Sequence, residues 1–94
     1  MDRKKSIHQR LDQCALELLE FIKESESSHK DRWVPTAYIK NALSLNFVAV
    51  PKRGVQRGEK GWLFAILARM LEDKALLDYE KRGSRSFCRS KTLN

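Results

Sequence analysis

The apolar residues change their spacing once in the C-terminal third, and that change constrains the fold more than any other feature. Phe64, Leu67, Ala68 and Leu71 recur at the intervals that line one face of a helix. The pattern predicts a helix from about Glu59 to Asp73. Beyond it, Ala75–Tyr79 and Arg85–Arg89 are strand-forming runs separated by Glu80–Ser84, in which Gly83 supplies the turn. A helix running into a β-hairpin predicts an α+β chain, mostly α, rather than a pure bundle or sandwich.

Upstream, two more helices are expected. Ile7, Leu11, Cys14, Leu18 and Ile22, widened by Ala15 and Leu19, keep helical spacing, with Glu17, Glu20 and Glu24 on the other side. Ser6-Ile7-His8-Gln9 reads as a capping box with Ser6 as N-cap. This helix should stop near Glu24, before the polar run Ser25–His29. A second helix follows Trp33-Val34-Pro35, capped by Thr36, carrying Ile39, Ala42 and Leu43 inward and stopping at Asn46. Phe47–Pro51 is β-prone, and Lys52–Gly61 reads as a flexible, positively charged loop. Trp33, Phe21, Phe64 and Phe87 are read as core, and Tyr38 as half-buried.

The chain has 94 residues, the size of one domain: an ordered core over about 6–89, a basic arm over 1–5 and a mobile tail over 90–94. Its net charge is +7, and the charge is segregated. Residues 11–26 are acidic, while 1–10, 52–60 and 80–94 are basic. A small domain this basic has the electrostatic footprint of a nucleic-acid binder.

Several classes are excluded as expectations. No nucleophile sits beside a base, and Gly54-Val55-Gln56-Arg57-Gly58 lacks the lysine-serine ending of a phosphate loop, so no enzyme, cofactor or small-molecule substrate is expected. Cys14 and Cys88 have no metal-ligand spacing with His8 and His29, and both read as small buried residues of a reducing compartment. The basic start runs into an amphipathic helix, not an apolar stretch, so neither a signal peptide nor a membrane span is expected. A cytoplasmic protein follows, nucleoid-associated if it binds DNA in a prokaryote.

From residue 7 to residue 89 the order of helices, short strand and hairpin resembles the winged helix-turn-helix superfamily. The most specific stretch is Phe64–Leu77, which resembles a recognition helix entering a wing, with Ala75 where many members carry glycine. Val34-Pro35-Thr36-Ala37-Tyr38-Ile39 resembles the start of the second helix. The resemblance implies a three-helix winged helix-turn-helix with a C-terminal β-hairpin wing, and the third helix in or near the major groove of DNA.

That resemblance makes the nucleic-acid contacts Lys52, Arg53, Arg57, Lys60, Lys81, Arg82, Ser84, Arg85 and Arg89, with double-stranded DNA as the partner. A small transcriptional regulator or a phage- or plasmid-type accessory factor fits, and paired half-sites favour a homodimer. Two features depart from the family. The connection between the second and third helices is long, where a tight turn is usual. The outward face of the third helix carries Trp62, Leu63, Ile66 and Met70. The alternative is therefore a protein-interaction module using those four as its interface. Single-strand or RNA binding ranks last, since no paired aromatic platform is evident.

Overall fold

A computed structural model describes residues 2–45, 50–52, 55–57 and 61–91, with the backbone alone for 50–52 and 55–57. The chain is α+β and mostly helical. Helix α1 spans Arg3–Ser25, followed by two single 3₁₀ turns, Glu26–Ser28 and Lys30–Arg32. Strand β1 is Val34–Pro35, α2 is Thr36–Ala42, β2 is Val50–Lys52 and β3 is Val55–Arg57. Helix α3 is Trp62–Asp73, and β4 (Leu77–Arg82) and β5 (Arg85–Ser90) close the chain. The main sheet is antiparallel in the order β1-β5-β4, and β2 pairs with β3 separately.

One core lies between the helices and the inner face of the main sheet. Leu18, Leu19 and Ile22 of α1 meet Ile39 of α2, then Phe64, Leu67 and Leu71 of α3, with Val34, Leu77 and Cys88 from the strands. The stripe predicted for α3 is the buried one. Helix α1 begins at Arg3, earlier than the Ser6 box implies. The Asp2 carboxylate accepts the Lys5 N–H at 3.2 Å, and this cap is reached first. Cys14, expected in the core, is exposed.

Each helix end has a local cause. Helix α2 stops at Ala42 because Ser44 takes a left-handed conformation (φ 55°). The Leu45 N–H then donates to the Lys40 carbonyl at 2.7 Å and that of Ser44 to Asn41 at 3.3 Å, a Schellman closure. The stop assigned to Asn46 therefore comes two residues sooner, and Asn46 itself lies outside the described residues. Ala75 (φ 59°) does the same for α3, with the Leu76 N–H donating to Leu71 and that of Ala75 to Glu72, both at 2.9 Å. At its start, Gly61 is left-handed (φ 77°), so α3 cannot reach back to Glu59.

Two expectations change in extent. Part of the predicted loop over Lys52–Gly61 is strand, because Val50↔Arg57 and Lys52↔Val55 pair across β2 and β3. The five-residue turn over Glu80–Ser84 contracts to Gly83-Ser84, since Arg82 and Arg85 face each other in the ladder. Only Gly83 has positive φ (64°), at the first loop position, the pattern of a type II′ turn.

Candidate nucleic-acid interface

Strand periodicity assigns the hairpin's side chains to two faces. In β5, Ser86, Cys88 and Ser90 point inward, so Arg85, Phe87 and Arg89 share the outer face. Across the ladder Arg82 opposes Arg85, Glu80 opposes Phe87 and Asp78 opposes Arg89, which puts these on the outer face too. Lys81 opposes Ser86 and points to the other side, with Tyr79. The tip is thus cationic on both faces, around the exposed pair Gly83 and Ser84.

The arginines differ in how far they are engaged. Arg89 lies 4.1 Å from the Trp33 ring centre, donates to the Asp31 carbonyl at 3.1 Å and sits 3.6 Å from the Asp78 carboxylate. It is a clamp between the sheet and the turn before β1, and little of its charge is offered outward. Arg82 pairs with Glu80 at 2.8 Å and spans Trp33 and Phe87 at 5.7 and 5.2 Å. Arg85 meets only the Phe87 ring, at 5.5 Å, and neither it nor Lys81 forms an ion pair among the described residues. Trp33 and Phe87, expected in the core, are half-buried on this outer face with guanidinium groups near their rings. Alternation in Arg85-Ser86-Phe87-Cys88-Arg89 already contains the Phe87 half of this arrangement. The Trp33 half depends on β1, a two-residue strand with no signal of its own.

The turn before β1 is held in an uncommon conformation. Asp31 and Arg32 both have positive φ, 54° and 66°. A buried carboxylate over-determines it: Glu26, 7% exposed, accepts the Ser90 N–H at 2.6 Å and Arg32 at 3.0 Å. Arg32 also donates to the Ser90 carbonyl at 3.4 Å. β1 pairs only with Cys88 and Phe87, so this ion pair satisfies the strand edge where β1 does not. In the sequence Glu26 is one residue of the polar run Ser25–His29, with nothing to mark it for burial.

The predicted face of α3 divides. Leu63 and Met70 pack against the core, Trp62 is half-buried, and Ile66 is 46% exposed. The exposed charges of α3 are Arg69, Glu72 and Asp73, and Arg69 pairs with Asp73 at 3.1 Å. That face therefore offers no surplus of positive charge. Between it and the hairpin lies a cavity of about 450 Å³ lined by Thr36, Lys40, Trp62, Ile66, Tyr79 and Ser86. The Thr36 and Ser86 hydroxyls bond to each other, so Thr36 serves as a tether from α2 to β5; the N-cap is Pro35.

Arg53 and Lys60 lie outside the described residues, as do the side chains of Lys52 and Arg57. Cys88 is fully buried, and burial, with the Glu72 charge second, pushes its thiol from about 9 to about 12. Among the described residues no cluster of His, Cys, Asp and Glu could hold a metal, and no helix is long and apolar enough to cross a membrane. Comparison of the chain with protein-family models, with curated proteins and with solved structures finds no match.

Proposed function

We propose that the chain is a winged-helix domain that binds double-stranded DNA and grips it chiefly with the β4–β5 hairpin as its wing. The winged-helix reading is supported by the element order α1-β1-α2-β2-β3-α3-β4-β5, in which the β2–β3 pair is an addition between α2 and α3, and by the sheet order β1-β5-β4. The observation that carries the binding reading is the hairpin tip, where Lys81, Arg82 and Arg85 surround a two-residue turn in a chain of net charge +7. A narrow tip with cations on both faces suits a groove walled by phosphates on both sides. Arg in particular is attracted to the strong negative potential of a narrow minor groove.

The wing leads in this reading because the exposed charges of α3 do not. Arg69 is spent on Asp73, and Glu72 faces the same side. Arg89 is a positioning residue that holds Trp33 and the strained turn under the hairpin. Fluorescence anisotropy with a labelled duplex tests the assignment. Replacing Arg85 by Ala should weaken binding on the order of tenfold and lower the salt slope by about one unit, in line with loss of one phosphate contact. Equal binding by wild type and an R82A/R85A variant would remove the wing from the interface.

A second reading is favoured by Ile66, large, apolar and 46% exposed beside the cavity. In it, α3 docks a protein partner. An Ile66→Asp variant that keeps full DNA affinity but loses a co-purifying partner would favour this reading over groove insertion of α3.

A further inference from the structure

The first turns of α1 reach past the core. Ile7 is 57% exposed, Arg3 to Lys5 and Arg10 are exposed, and only Ser6 of this stretch is half-buried. Farther along, α1 borders an apolar groove of about 410 Å³ walled by Leu18, Phe21, Leu43, Leu45 and Leu63, with Glu17, Glu20 and Glu24 at its rim. One helix therefore presents a basic apolar end and an acidic apolar groove.

The spacing of α1 is also that of a coiled-coil seam. Lys4, Ile7, Leu11, Cys14, Leu18 and Phe21 alternate by three and four residues, the a and d positions of a heptad. Flanking charges then fall at the g positions: Arg3, Arg10, Glu17 and Glu24, each seven residues from the next. All four are exposed, and none forms an ion pair among the described residues. The opposite flank, at e, holds His8, Ala15 and Ile22. Ala15 and Ile22, with Leu18 at a, are buried in the chain's own core, so a second copy meets Leu18 only at the floor of the groove.

We infer that two copies of this chain associate through antiparallel pairing of their α1 helices. In that pairing g faces g, so Arg10 meets Glu17 of the second copy and Arg3 meets its Glu24, and the two-fold repeats both pairs. In the same register Ile7 reaches the level of Leu18 of the second copy and enters its groove. Charge selects the orientation. A parallel pair would set Arg3, Arg10 and Glu17 against His8, Ala15 and Ile22 and leave Glu24 opposite a position past the helix end, with no carboxylate for the arginines and no cation for Glu17. The surface is separate from the wing, so the inference does not rest on the DNA-binding reading.

Sedimentation equilibrium of the intact chain tests it. Wild type should form a reversible dimer. Arg10→Glu and Glu17→Arg should each weaken association on the order of tenfold or more, because each turns two attractive pairs repulsive. The R10E/E17R double variant should recover wild-type association, and an equimolar mixture of the two single variants should form a heterodimer. Both sites are exposed, and circular dichroism confirms that each variant is folded. A wild type that stays monomeric at its highest soluble concentration would overturn the inference. So would association indifferent to either reversal, or a double variant as weak as the singles.

Discussion

Replacing Glu26 by Ala tests how the sheet edge is closed. Glu26 is 7% exposed and accepts from the Ser90 N–H at 2.6 Å and from Arg32 at 3.0 Å. Hydrogen bonds to a charged group contribute about 1.5–3 kcal/mol each, and an orphaned buried N–H costs about 1–3 kcal/mol. The Arg32 side chain is 38% exposed, so water recovers part of its loss. The net expectation is a loss of about 2–4 kcal/mol, a large share of the ~5–15 kcal/mol that holds a domain folded. For a chain of this length that lowers Tm by roughly 10–25 °C. Glu26→Gln keeps an acceptor for Ser90 but loses the charge, and should cost only about 1–2 kcal/mol. Urea denaturation of the three proteins, fitted with a common slope, measures both differences. Equal losses in the two variants, or a loss under about 0.5 kcal/mol for Ala, would show that the carboxylate does not satisfy the β5 edge.

Other expectations follow from single positions. Ala75 is exposed and left-handed, so Ala75→Gly relieves about 1–2 kcal/mol of backbone strain against about 0.4–1 kcal/mol of added unfolded-state entropy, a net gain of about 0.5–1 kcal/mol visible as a higher Tm. The Cys88 thiol is raised to about 12, so the folded state holds its proton where the unfolded state releases it. The stability this contributes is complete below about pH 9 and falls by about 1.4 kcal/mol per pH unit as pH rises toward 12; a Cys88→Ala variant should lack that component in matched alkaline melts. In a thiol-reagent titration of the native protein, exposed Cys14 should react at once and buried Cys88 only on unfolding.

Much of the scaffold is legible in the sequence because it depends on periodicity. The stripe Phe64, Leu67, Ala68, Leu71 and the alternation in Arg85–Arg89 both state which side faces the core. What stays hidden depends on contacts distant along the chain. Nothing near Glu26 announces that it will meet Ser90, 64 residues later. Nor does Trp33 announce its contact with Arg89, which exists only because β1 pairs with β5. The end of α2 comes before Asn46 because the left-handed residue that closes it is Ser44, whereas α3 ends at Asp73, where the spacing puts it. Ser44 and Ala75 close their helices against their own propensities, and the backbone bonds they complete are the compensation. Cys14 shows the limit of a stripe: its spacing is that of α1's apolar face, but the core ends short of it. For the proposed interface, composition pointed to the arginines of the hairpin, while the register separated freely offered Arg85 from clamped Arg89.

The salt dependence of duplex binding addresses the central claim most directly. If Lys81, Arg82 and Arg85 neutralise phosphates, log K should fall linearly with log salt concentration at a slope of about −3 or steeper, and the K81A/R82A/R85A variant should lose most of that slope. Binding that is flat across salt, absent at the lowest ionic strength, or unchanged in the triple variant would contradict it.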